Sequence, residues 1–123
     1  MNSSPSKTIL IVDDDPDIRE TLAELLQDEG YTVILASHGG EALEALRMNP
    51  KPALILLDLM MPIMDGWQFR TEQKRDPQIA AIPVVIISAT GRDDAVFGLG
   101  PAQFLKKPIN LDQLLAAVEE HCS

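Results

Sequence analysis

Apolar residues along the chain gather into five short runs. Thr8-Ile9-Leu10-Ile11-Val12, Tyr31-Thr32-Val33-Ile34-Leu35-Ala36, Leu54-Ile55-Leu56-Leu57, Ile82-Pro83-Val84-Val85-Ile86-Ile87 and Phe104-Leu105-Lys106 are too short for helices. Most do not alternate with polar positions, so they predict strands buried on both faces, the kind found in parallel sheets. Pro83 stands at the first position of its strand, where a missing N–H is tolerated. Polar residues or breakers end every run: Asp13-Asp14-Asp15-Pro16, Ser37-His38-Gly39-Gly40, Asp58 and then Pro62, Ser88-Ala89-Thr90-Gly91, and Lys107-Pro108.

Between the runs the period changes to that of a helix. After Asp15 as N-cap and Pro16 at the first helical position, Ile18, Leu22, Leu25 and Leu26 share one face, and Gly30 closes the segment. A second helix is expected from about Glu41 to Met48, with Ala42, Leu43, Ala45 and Leu46 inward. The stretch Trp67 to Arg75 is weakly amphipathic, with mainly Phe69 and Trp67 to pack, and is expected to be exposed over most of its surface. A short helix is expected over roughly Asp93 to Leu99, stopped by Gly100-Pro101. Asn110 caps a last helix whose Leu111, Leu114, Leu115 and Val118 follow the helical spacing. His38 reads as an exposed turn residue beside two glycines.

Five strands alternating with helices predict an α/β fold, a single five-stranded parallel sheet with helices on both faces and right-handed crossovers. In such a sheet all strand C-termini lie on one edge, where ligands bind. That edge collects Asp13 and Asp14, Asp58, Ser88 and Lys107, each the first polar residue, or close to it, after an apolar run. A single Asp there would be an ordinary loop start. Three carboxylates, a hydroxyl and an ammonium from four strands are a constellation.

Composition narrows the classes. At 123 residues the chain makes one domain, with 46% hydrophobic residues and a net charge of −9. An acidic surface repels phosphate backbones, which argues against nucleic-acid binding and favours basic partners or divalent cations. Cys122 is the single cysteine, so no internal disulfide forms. No apolar stretch approaches the roughly 20 residues of a spanning helix, and residues 1–7 read as a flexible leader preceding a domain over 8–123. A cytoplasmic location is expected.

Residue chemistry gives a reaction class. Clustered carboxylates are hard oxygen donors suited to Mg²⁺, which offsets their repulsion. A carboxylate can be the nucleophile that accepts a phosphoryl group, and transfer depends on neutralising oxygen charge, by metal on one side and ammonium on the other. Residue types alone therefore point to an Mg²⁺-dependent phosphoryl acceptor or hydrolase.

Val12-Asp13-Asp14, Asp58 followed by Met61-Pro62 and Asp65-Gly66, Ser88-Ala89 and Lys107-Pro108 together resemble a two-component response regulator receiver domain, akin to the bacterial chemotaxis response regulator, from Thr8 to about His121. The resemblance implies the flavodoxin-like strand order 2-1-3-4-5. It makes Asp58 the residue phosphorylated from the phosphohistidine of a histidine kinase or histidine phosphotransfer protein. Asp14 and Asp58 would bind Mg²⁺ directly, Asp13 mostly through water, and the Met60 carbonyl would complete the site. Ser88 and Lys107 would contact the phosphoryl group, and Phe104 would turn inward as Ser88 moves. The Lys107–Pro108 bond is usually cis in that family. The resemblance further implies a signalling protein with no separate substrate turnover, a downstream target protein, and a monomer or weak dimer.

Three features depart from the family pattern. Ser88 replaces the commoner threonine and keeps the hydroxyl. Met60 and Thr90 flank the site where residues tune phosphate lifetime, and apolar Met60 is expected to hinder the attacking water. The segment from Ser88 to Lys107 is about one helical turn short, and the loss falls on the fourth helix, which in the family normally belongs to the output surface. A haloacid-dehalogenase-type phosphatase would want a second Asp two positions after Asp58, where Met60 stands. A pseudo-receiver would normally lose an acidic or lysine position, and none is lost. A stand-alone protein signalling through protein contacts is expected, the alternative being a receiver excised from a hybrid kinase or multidomain regulator.

Overall fold

The computed structural model describes residues 7–48, 51–58, 66–88, 103–106 and 108–122. In chain order these form β1 (Thr8–Val12), α1 (Pro16–Asp28), β2 (Thr32–Ala36), α2 (Gly39–Met48), β3 (Leu54–Asp58), α3 (Gly66–Arg75), β4 (Val84–Ser88), β5 (Gln103–Lys106) and α4 (Leu111–Cys122). All strand pairs are parallel, in the order β2-β1-β3-β4-β5. The expected leader (residues 1–6 of it), the short helix near Asp93 to Leu99 and the Lys107–Pro108 bond fall on, or depend on, residues outside the described ones.

Alternation along each strand sends neighbouring side chains to opposite faces. Leu10, Val12, Ile55, Leu57, Val84 and Ile86 therefore pack with Ala42, Leu43 and Leu46 of α2 and Phe69 of α3. Ile9, Ile11, Leu54, Leu56, Val85 and Ile87 pack on the other face with Leu22, Ala23 and Leu26 of α1 and Leu114, Ala117 and Val118 of α4. Burying each such Leu or Ile contributes about 1.5–3 kcal/mol. Two separate cores, one per face, explain why the inner strands β1, β3 and β4 are apolar, whereas the edge strands β2 and β5 expose Leu35 and Lys106.

Caps set the helix ends. Asp15 Oδ1 accepts from the N–H groups of Asp17 (2.9 Å) and Ile18 (3.4 Å). At the far end of α1 the Gly30 N–H bonds the Gln27 carbonyl (3.0 Å) and its φ is +96°, a left-handed conformation that glycine adopts without penalty. Asn110 Oδ1 accepts from Gln113 N–H (3.0 Å), the expected cap of α4.

Four expectations need correction. Helix α2 begins at Gly39 rather than near Glu41, because His38 is its cap: Nδ1 accepts from Glu41 N–H (3.3 Å) and its carbonyl from Ala42 N–H (3.1 Å). His38 is accordingly half-buried, not an exposed turn residue. Leu111 does not reach the core and is 50% exposed, while Ala117, not among the expected apolar positions, is buried. Helix α3 buries more than Phe69, since Arg70 and Gln73 are also inside. Gln73 Nε2 donates to the carbonyls of Ile79 (2.9 Å) and Ile82 (3.1 Å), while its Oε1 accepts from Arg70 Nη1 (2.6 Å). A polar pair thus ties α3 to the segment entering β4, and burial lowers the Arg70 pKa from its usual value.

Candidate phospho-acceptor and metal site

Parallel register brings the strand ends together. Val12 pairs with Leu57 and Asp58 with Ile87, so Asp13 leaves β1 beside the last residue of β3. One carboxylate oxygen each from Asp13, Asp14 and Asp58 lie within 4.8 Å of one another. Asp13 is 1% and Asp58 4% exposed, whereas Asp14 faces solvent. Like charges so close and so dry repel strongly. An oxygen donor set of this density, with one member open to solvent, fits a divalent cation that keeps part of its water shell.

The loop holding Asp13 is fixed from several directions. Its N–H donates to the Ala36 carbonyl of β2 (3.1 Å), and its Oδ1 accepts from Asp15 N–H (2.9 Å). Its carbonyl accepts from Arg19 Nη1 (2.7 Å), reaching back from α1. Arg19 was not singled out by motif reasoning. The available signal was geometric, because a long side chain one turn into a helix points back toward its N-terminus.

Next to this loop, Glu41 Oε1 accepts from both the N–H (2.6 Å) and the hydroxyl (2.5 Å) of Ser37. The Ser37 hydroxyl bond, then its backbone bond, hold the Glu41 carboxyl below its ordinary range, with smaller help from His38 and Arg19. This places an ionised carboxylate at the start of α2, where the helix dipole also favours it.

The remaining expected residues are reached only by backbone. Ser88 ends β4 and pairs with Lys106, so its Cα stands at the rim one step beyond Asp58's partner Ile87. Phe104 lies in β5 opposite Ile86. Lys107 and Met60 lie outside the described residues, as do the side chains of Ser88 and Phe104. Asp13, Asp14 and Asp58 are therefore brought together, and β4 and β5 deliver their termini to the same edge.

The model of the response regulator receiver domain matches residues 9–119. Response regulator Rre1 of Synechocystis sp. is 38% identical over 115 residues, which cover 90% of this chain and 49% of Rre1. Protein PilH of Pseudomonas aeruginosa is 34% identical over 113 residues, 89% of this chain and 93% of PilH. The chain thus spans about half the length of Rre1 and most of PilH. Among solved structures, chemotaxis protein CheY4 of Vibrio cholerae superposes with a TM-score of 0.88 at 28% identity, covering 95% of this chain and 99% of that one. No helix among the described residues is long and apolar enough to cross a membrane. Sheet order, the acidic rim and these matches agree, and the chain belongs to the response regulator receiver domain family.

Proposed function

We propose that this chain is a phospho-acceptor of a two-component or phosphorelay pathway, with Asp58 taking a phosphoryl group from the phosphohistidine of a histidine kinase or histidine phosphotransfer protein. The observation that supports it most is the convergence of Asp13, Asp14 and Asp58 oxygens within 4.8 Å around the buried end of β3. In the step, an Asp58 carboxylate oxygen forms a bond to phosphorus as the phosphorus–nitrogen bond breaks, and the electron pair returns to the imidazole nitrogen.

Asp14 and Asp58 would hold Mg²⁺ directly, with the Met60 carbonyl, and Asp13 through water. When bound, the ion supplies charge neutralisation for the phosphoryl oxygens. The chain's own residues do the rest. Lys107 pairs with a phosphoryl oxygen, Ser88 donates its hydroxyl to another, and Phe104 follows Ser88 inward to change the surface that a target protein reads. The Asp13 loop, pinned to β2 and α1, keeps its carboxylate in place before any ligand arrives. The same reading puts the protein in the cytoplasm, as a monomer or weak dimer that turns over no separate substrate and touches neither nucleic acid nor membrane.

Incubation with acetyl phosphate and Mg²⁺ followed by intact mass tests the central claim. The wild type gains one phosphate and Asp58→Ala gains none. An equal gain in both proteins removes Asp58 from the role.

A further inference from the structure

We infer that Arg19 is a positioning residue for this site: its guanidinium fixes the peptide plane between Asp13 and Asp14 and so aims the solvent-facing Asp14 carboxylate at the cation. The inference rests on reading the acidic rim as the Mg²⁺-dependent phospho-acceptor site. Arg19 Nη1 donates to the Asp13 carbonyl at 2.7 Å. A charge-assisted bond of this length is among the stronger side-chain contacts. The peptide unit is planar, so holding the Asp13 oxygen also sets the Asp14 N–H and Cα that complete the same plane.

Asp13 itself has other anchors, through Ala36 on one side and Asp15 on the other. The Asp13–Asp14 plane is held by Arg19 from the first turns of α1, a helix started by Asp15 as cap and Pro16. Rotation of that plane would leave Asp13 largely in place and swing Asp14 away. Asp14 is also the member of the trio with the least packing around it, being exposed where Asp13 and Asp58 are buried.

Two effects of Arg19 on a cation oppose each other, and that opposition makes the inference decidable. As a positive charge beside the acidic rim, it repels Mg²⁺, so removing it tightens binding. As the holder of Asp14, it preorganises a ligand, so removing it weakens binding. Groups that orient metal ligands typically cost 10–100-fold in affinity when lost. Positioning therefore exceeds the repulsion of a half-exposed charge in high dielectric.

The test titrates Mg²⁺ into wild type, Arg19→Met and Arg19→Lys by calorimetry, and measures the rise in melting temperature that saturating Mg²⁺ produces in each. Arg19→Met keeps the apolar stem without donor or charge, and is expected to bind Mg²⁺ about tenfold more weakly. Arg19→Lys keeps a charged donor and recovers most of that loss. Should Arg19→Met not fold, Arg19→Gln takes its place. Equal or tighter Mg²⁺ binding in the uncharged variant overturns the inference, as does a fall in metal-free melting temperature with affinity unchanged. If wild type takes phosphate from acetyl phosphate while the uncharged variant matches its Mg²⁺ affinity, the positioning role alone fails. If wild type neither binds Mg²⁺ nor takes phosphate, the phospho-acceptor reading fails and takes the inference with it.

Discussion

Replacing Gln73 by Met removes the polar tie between α3 and β4 while nearly conserving length and volume. Gln73 is 0% exposed, so no water takes over its bonds. Its amide donates to the carbonyls of Ile79 and Ile82 and accepts from Arg70. The Ile79 carbonyl keeps the N–H of Ile82 at 3.2 Å and loses only its second bond. The Ile82 carbonyl and the Arg70 Nη1 bond carry most of the loss. Taking about 0.5 kcal/mol for Ile79, about 1 for Ile82 and about 1.5 for the charged donor gives about 3 kcal/mol. The volume-conserving swap adds under about 1.5 kcal/mol of packing change. Against a total stability of about 5–15 kcal/mol this is a large fraction. Urea unfolding followed by far-UV circular dichroism reads it as a lower midpoint at unchanged slope, by about 1.5 M for a slope of about 2 kcal/mol/M. A loss below about 1 kcal/mol would refute the reasoning, because it would mean that the amide bonds hold nothing the apolar chain does not.

Gly30→Ala meets no atom within 4 Å, so its cost is the backbone's alone; at φ +96° this is about 1–2 kcal/mol, read as a lower melting temperature, and an unchanged one would contradict the left-handed cap. Glu41, whose folded pKa is depressed by the Ser37 bonds, contributes stability that is present above the ordinary carboxylate range and fades as pH falls through the folded value. Melting temperatures of wild type and Glu41→Gln should therefore converge on acidification from pH 6, and a constant gap would argue against ionised Glu41 as the source. Met60→Asn should speed loss of phosphate from Asp58, since a polar side chain can orient the attacking water where an apolar one hinders it; an acyl phosphate that decays at the same rate or more slowly excludes that role for Met60.

Strand existence was legible because burial on both faces demands uninterrupted apolar runs, and Leu54–Leu57 and Thr8–Val12 are such runs, whereas the order β2-β1-β3-β4-β5 was implied only by the family resemblance. The rim was legible for a related reason. A carboxylate following such a run can only sit at the sheet's C-terminal edge, so Asp13 and Asp58 declared their place through neighbouring residues. Gln73 and Arg70 were not legible. In a helix rich in Arg, Glu, Gln and Lys they look like solvated residues, and only tertiary packing shows that the carbonyls of Ile79 and Ile82 need the donors of Gln73. Leu111 failed in the opposite direction, because apolar spacing does not say whether a first-turn residue overhangs the core. His38 hid its role through helix start, since a ring nitrogen can cap as a carboxylate does, and the glycines after it suggested a turn.

The two ends of the sheet divide the work. At the C-terminal edge, three carboxylates are crowded within 4.8 Å, and the Asp13 loop among them is held by the Ala36 carbonyl of β2 and the Arg19 side chain of α1. At the N-terminal edge, Gln73 fastens the entry to β4. Gln73 bonds Arg70, Ile79 and Ile82, none of them a residue of the acidic rim, and the apolar middle of β3 and β4 lies between the two ends. Energies of such separated sites add to within about 0.5 kcal/mol. Combining Gln73→Met with Arg19→Met should therefore lower metal-free stability by the sum of the single effects and leave the Mg²⁺ affinity of Arg19→Met where it was. An affinity that shifts with Gln73 would mean that the acidic rim feels the far end of the sheet, through the strands that join them.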